Sequence, residues 1–288
     1  MTTVYLNGDF IPAEQAKISP MDRGFLFGDG IYEVIPSYSG RFVGFAPHID
    51  RMHSGLGQLS IDPQLSHEKW QHIAEQLVAD NKAELGDNLG VYFQVSRGTD
   101  TKRGHAFPTN VAPTVFGFVF AIPPEPVADK AKATIYNVVT GQDLRWQRCN
   151  IKSTSLLGNV LHYQQGAEQG AQEILLFDKQ GNLTEGAAVN VFVIKDGVIA
   201  TPPLSTKLLP GITRQILLAI LAKHSDIEVQ ERDISEAEVL AADEIWITSS
   251  SKEIAPVLTV NNNPVGDGQV GDVWLAAQQL FSSHKFDY

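Results

Sequence analysis

The sequence predicts a smaller α+β domain over residues 1–120 and a larger α/β domain over 131–288, joined by a linker at 121–130. Three observations carry this expectation. The chain has 288 residues, well beyond the roughly 150 typical of one domain. The stretch "AIPPEPVADK" (121–130) holds three prolines, which interrupt helix and central strand alike and keep a connection extended. Strand-like runs alternate with helical periodicity on both sides of it.

Each element follows in order. Val4–Leu6 reads as a strand entering a turn, and "GIYEVIPSY" (30–38), "RFVGF" (41–45), "VYFQVSRG" (91–98) and "TVFGFVFA" (114–121) as further strands. "PHIDRMHSGLGQL" (47–59) reads as a short helix. A longer helix is expected over Ser66–Asn81, capped by the serine, with Trp70, Ile73, Leu77 and Val78 on one face. This makes the first domain a mostly antiparallel α+β unit. Beyond the linker come a strand at 133–139, a helix from Ser155 to Gln169 and a strand at 173–178. A hairpin over 188–203 turns on Asp196-Gly197. A helix over Ile212–His224, a strand at 244–250, a hairpin around "NNNPVGDG" and a last helix complete the chain.

Composition narrows the function classes. Hydrophobic residues make up 43%, enough for packed cores, and the net charge of −11 is spread along the chain without a basic patch, which argues against a nucleic-acid partner. No early signal-peptide pattern and no apolar run near the roughly 18 residues of a membrane helix stand out, so a cytoplasmic protein without a membrane partner is expected. Cys149 is the only cysteine, which excludes an intrachain disulfide and a multi-cysteine metal site. No metal is expected.

Several short stretches admit two readings. Lys152 in "RCNIKSTSLLGN" (148–159) has no carboxylate in the ten residues that follow it, so it is either an isolated surface lysine or an amine kept for chemistry. "LLPGITR" (208–214) opens an apolar helix whose first-turn N–H groups and Thr213 hydroxyl suit a phosphate, or form an ordinary helix start. Thr248–Ser251 are four consecutive hydroxyl residues, a polar turn or a second phosphate clamp. Glu185 in "NLTEGAAVNVFVI" is either solvated or set against a ring nitrogen. "RWQRCNIK" (145–152) reads as a strand, on which Arg145, Arg148, Ile151 and Lys152 cannot all share one face. "DRGFLFGDGIYEV" (22–34) holds three glycines among aromatics, which suggests tight turns, and its Tyr32 could be core or could offer its phenol. "RGTDTKRGHAFP" (97–108) is a solvated tip, or a carboxylate clamp built on Arg103 and His105.

In chain order, "DRGFLFGDGIYEV", "HIDR", "RGT…RGHAFP", "RCNIKS", "TEG…NVF", "PGITR" and "TSSSKEIAPV" resemble the motifs of class IV (fold type IV) aminotransferases, most closely the bacterial D-amino-acid branch. The resemblance spans nearly the whole chain. It implies a two-domain enzyme with pyridoxal 5′-phosphate (PLP) in the cleft between the domains. Lys152 would carry PLP as a Schiff base, and Glu185 would pair with the pyridine nitrogen. Arg51, Ile212, Thr213 and Ser250 would hold the phosphate, Leu209 would pack on the ring, and Arg145 would lie near the phenolic oxygen. Tyr32, Arg103 and His105 would capture the substrate carboxylate, the last two from the neighbouring subunit of a homodimer. The substrates implied are D-amino acids and 2-oxo acids, with D-alanine and 2-oxoglutarate giving pyruvate and D-glutamate. A branched-chain L-amino-acid transaminase and an aminodeoxychorismate-type lyase would share the cofactor site. A non-catalytic binding protein would use Lys152 only structurally.

Overall fold

The computed structural model describes residues 2–288, which fall into two compact units: one reaching to Glu125 together with Ile151–Leu156 and Tyr288, the other Pro126–Asn150 and Leu157–Asp287. Lys152 therefore packs with the first unit.

In the first unit β1 (Thr3–Leu6) and β2 (Asp9–Pro12) form a hairpin, followed by a short helix α1 (Arg23–Phe27). Then come β3 (Gly30–Tyr38), β4 (Arg41–Phe42), α2 (Phe45–Gln58), α3 (His67–Leu85), β5 (Asn88–Ser96) and β6 (Thr114–Ala121). They make a six-stranded sheet in the order β2-β1-β6-β5-β3-β4, with every pairing antiparallel, as expected for this unit. The α3 start is set by Ser66, whose hydroxyl accepts from the Lys69 N–H. Trp70, Ile73 and Leu77 on its inner face are fully buried with Ile31, Ile35, Met52 and Phe93. The helix runs on to Leu85, beyond the expected end at Asn81.

Two expectations for this unit fail. "RFVGF" is a strand only at Arg41–Phe42; Gly44 adopts φ 64 and the chain turns into α2 at Phe45. "DRGFLFG", expected as tight turns, is helical because Asp22 caps α1 by accepting from the Gly24 N–H.

The second unit contains β7 (Tyr136–Gln142), α4 (Leu157–Glu168), β8 (Glu173–Phe177), β9 (Leu183–Gly186), β10 (Asn190–Lys195), β11 (Val198–Thr201) and α5 (Ile212–His224). Next come β12 (Val229–Glu231), α6 (Glu236–Leu240), β13 (Glu244–Ser249), β14 (Glu253–Val260), β15 (Asn263–Pro264) and α7 (Asp272–His284). The nine-stranded sheet runs β12-β11-β10-β13-β14-β7-β8-β9, with β15 beside β14, and mixes parallel and antiparallel pairs. The β10–β11 turn has positive φ at both Asp196 (49) and Gly197 (79), the geometry an Asp-Gly hairpin supplies. Residues 143–152 are not a strand; Ser153 alone bridges to Ile31, so the facing problem posed for Arg145 and Lys152 does not arise. Among the described residues no helix is long and apolar enough to cross a membrane.

Replacing Trp70 with alanine is expected to cost about 3–5 kcal/mol, because a fully buried ring leaves a cavity, whereas Gly197→Ala in the turn costs about 1 kcal/mol. Urea midpoints of the two variants measure the difference.

Candidate active site

In the first unit the site begins at β3, where alternation sends neighbouring side chains to opposite faces. Glu33 points with Ile31 and Ile35 into the core and is fully buried. Its carboxylate accepts from Arg51 Nε and Nη2, both at 2.7 Å, and pairs with His48 Nδ1 at 2.7 Å. Both partners sit on α2, one turn apart. Burial drives the Glu33 carboxyl up, but Arg51 and then His48 outweigh it and hold it at about 2. Burial lowers His48 against the pull of Glu33, and its Nδ1 donates to the carboxylate. Arg51 is thus held by two hydrogen bonds to a fixed anion.

Tyr32 points to the other face, where its ring stacks on Tyr92 at 5.7 Å. The Tyr32 N–H donates to the Lys152 carbonyl at 3.0 Å, and the Thr154 N–H donates to the Gly30 carbonyl at 2.9 Å. These bonds stitch the lysine segment to β3. Lys152 Nζ lies 4.2 Å from the Tyr32 ring centroid and has no carboxylate within ion-pair distance among the described residues. Arg103 and His105 are both exposed on the loop after β5 and gather on the Phe27 ring, with no hydrogen bond or ring contact to Tyr32.

In the second unit Glu185, on β9, is buried and accepts from Arg145 Nη1 at 2.5 Å, the Leu209 N–H at 3.0 Å and Asn190 Nδ2 at 3.3 Å. Arg145 is also gripped by Asp143, through Nε at 3.0 Å and Nη2 at 2.8 Å. One guanidinium therefore serves two carboxylates. Burial pushes the Glu185 carboxyl up to about 7 despite Arg145, while Asp143 stays below its usual value because Arg145 overcomes its burial. Burial alone would lower Arg145; Asp143 and Glu185 hold it above its ordinary value. The neighbouring Cys149 thiol is pushed up to about 11 by burial, which keeps it protonated and unreactive.

Ile212 and Thr213 form the first turn of α5, whose N-cap, Gly211, offers no side chain to the free N–H groups. A Cβ on Gly211 would fall 2.0 Å from Asn190 Oδ1, so only glycine admits this approach. Ser250 lies in the turn between β13 and β14. In the residues before it, the Thr248 and Ser249 hydroxyl oxygens are buried without a partner. The turn ends at Glu253, held at φ 53, a left-handed conformation costly for a residue with a side chain. Buried Lys285 donates to Glu253 Oε1, and Gln278 Nε2 donates to Oε2 at 3.0 Å, so α7 and the residue after it keep that conformation in place.

This donor set suits a phosphorylated, cationic ring. The second unit offers uncapped helix N–H groups, buried hydroxyls without partners and a buried carboxylate that shares its arginine, and the first unit offers an amine with no carboxylate at ion-pair distance. Sequence reasoning missed Glu33, His48, Asp143, Asn190, Glu253 and Lys285, which hold the named residues in place. "HIDR" and "DLRW" carried the only local signals, a histidine and an aspartate each spaced to meet an arginine.

The chain belongs to the class IV aminotransferases: residues 30–260 match the family model described as amino-transferase class IV. Among curated proteins it is similar to the D-alanine aminotransferase of Staphylococcus haemolyticus, 36% identical over 285 residues covering 99% of this chain and 98% of that one. It is also 36% identical to the D-alanine aminotransferase of Listeria monocytogenes, over 96% of this chain and 94% of that one. Its fold, fold type IV, is that of the branched-chain amino acid aminotransferase of Escherichia coli, with TM-score 0.89 and 24% identity over 98% of this chain and 94% of that one. A PLP-bound hypothetical aminotransferase from Mycobacterium tuberculosis matches with TM-score 0.82 and 20% identity over 98% of each chain. These structural likenesses speak for the fold alone.

Folded, cofactor-free protein keeps a proton on Glu185 between pH 4.5 and about 7, where the unfolded chain has released it. This group therefore makes the fold less stable as pH rises through that window. Glu185→Gln is expected to flatten that part of the slope, read from urea midpoints of the apoprotein at pH 4.5 and 7.

Proposed function

We propose that the chain is a PLP-dependent D-amino-acid transaminase that passes the amino group of D-alanine to 2-oxoglutarate, giving pyruvate and D-glutamate. The observation that carries this reading is whole-length similarity to D-alanine aminotransferases, combined with an Arg103-Gly104-His105 loop suited to a substrate carboxylate.

Bound PLP supplies an electrophilic aldehyde carbon and a ring that accepts the electron pair left when a substrate Cα proton departs. Lys152 Nζ would hold the cofactor through its aldehyde carbon and, when free, would serve as the base for the substrate Cα proton. Glu185 holds a proton on the ring nitrogen, with Arg145 limiting how basic the carboxylate becomes. Arg145 supports Glu185 through its bond to that carboxylate, and its place near the phenolic oxygen is part of the same reading. Arg51, the Ile212 and Thr213 N–H groups and Ser250 bind the phosphate, and Leu209 covers the ring. Tyr32, Arg103 and His105 bind the substrate carboxylate.

Purified protein is expected to be yellow, and borohydride to fix the chromophore to the peptide containing Lys152. Lys152→Ala is expected to reduce turnover at least about 10³-fold, as befits a residue that is both covalent anchor and base. Pyruvate should form from D-alanine in the presence of 2-oxoglutarate and not from L-alanine. Faster turnover of L-leucine would defeat the assignment.

The chain also acts as a homodimer in this reading. Leu157, Val160 and Leu161 follow one face of α4 at i, i+3 and i+4 and are 58–71% exposed, with Leu144 of the same unit at 73%. A second copy is the occupant such a stripe suits. Sedimentation should give twice the chain mass, and Val160→Asp with Leu161→Asp should shift it towards the single chain.

A further inference from the structure

The loop that carries Arg103 and His105 is fastened through its backbone to α1. Arg23 is 3% exposed, and its Nε donates to Asp29 Oδ2 at 2.8 Å. Its remaining donors reach the loop: Nη1 donates to the Gly104 carbonyl at 2.5 Å and Nη2 to the His105 carbonyl at 3.2 Å. Those two carbonyls belong to the peptide planes on either side of the His105 Cα. A planar guanidinium that binds both fixes the φ and ψ of His105, and with them the direction of its side chain.

Phe27, at the end of the same helix, orders the side chains. Its ring centroid lies 4.8 Å from the Arg23 guanidinium carbon, 5.1 Å from that of Arg103 and 5.5 Å from the His105 ring. Asp29 is shared with Arg97, which donates to it from Nε at 2.8 Å and Nη2 at 2.9 Å. Arg97 in turn lies over the Phe107 ring at 3.5 Å. The loop is therefore pinned at Phe107 and around His105, while the Arg103 and His105 side chains stay exposed.

We infer that Arg23 and Phe27 are positioning residues that aim the Arg103–His105 pair at the substrate carboxylate, so that α1 sets the affinity for amino and 2-oxo acids. This rests on the carboxylate-binding reading of the loop proposed above. Arg23 touches neither cofactor nor substrate in this account; it acts through two carbonyls.

Steady-state kinetics of the holoenzyme with D-alanine and 2-oxoglutarate test it, alongside spectrophotometric titration of PLP. Arg23→Gln is expected to raise KM for both substrates about tenfold, with kcat within about threefold and PLP affinity unchanged, the pattern of lost binding rather than lost chemistry. Arg23→Lys keeps the charge beside Asp29 but has one nitrogen where the guanidinium uses three to hold Asp29 and both carbonyls, so it is expected to remain as impaired as Arg23→Gln. Full rescue by lysine would overturn the inference, since Arg23 would then only neutralise Asp29. Phe27→Leu, which keeps bulk without an aromatic face, is expected to raise KM about threefold. If Arg23→Gln fails to fold, Phe27→Leu decides, an unchanged KM counting against the inference. Arg103→Ala separates the two levels. A raised KM there with normal Arg23 and Phe27 variants sinks the positioning role alone; an unchanged KM in Arg103→Ala sinks the reading of the loop itself.

Discussion

The Glu33 carboxylate sits beneath β3 with no access to water, and the first unit is arranged to keep it charged. A buried carboxylate without a partner would be several kcal/mol too costly, so Arg51 and His48 must face it from α2. That requirement fixes the rotation of α2 against the sheet and the register of β3. Because successive strand residues alternate, the same register turns Tyr32 to the opposite face, where the Lys152 segment is stitched to the strand. One ion cluster thus sets the placement of an arginine, a phenol and an amine.

The second unit solves a similar problem with a deliberate shortage. Arg145 is divided between Asp143 and Glu185, and the Asn190 amide and Leu209 N–H offer only neutral donors to what remains of the Glu185 charge. A carboxylate satisfied by a private arginine would have little to gain from another cation. Glu185 keeps that capacity because its arginine is shared, which is the electrostatic state its proposed pairing with a protonated ring nitrogen would need.

Elements governed by local periodicity were legible from the sequence. The boundaries of β3, β6 and α5 coincide with their hydrophobic patterns, and Asp196-Gly197 made the hairpin readable from two residues. Helix α1 was not legible, because five residues with a glycine inside and another at the end carry too little periodicity, and only the Asp22 cap reveals it. The candidate site was legible as a set of residue types, through motifs that keep their order along the chain. Its supports were mostly not: Glu33 lies 18 residues from Arg51, Arg145 lies 40 from the Glu185 it binds, and Arg23 lies about 80 from the carbonyls it binds. Such partnerships exist only once the chain has folded.

Glu253 and Lys285 illustrate how that folding constrains descent as well as shape. Each is buried, each neutralises the other, and Glu253 alone must also tolerate a left-handed backbone at the end of the hydroxyl turn. Changing either residue by itself breaks this buried pair at a cost of about 3–5 kcal/mol, a large part of the stability of an ordinary domain. These two positions, more than thirty residues apart, are therefore coupled in energy. The hydroxyl turn inherits that linkage, because Glu253 closes it and its conformation leans on a side chain at the far end of the chain.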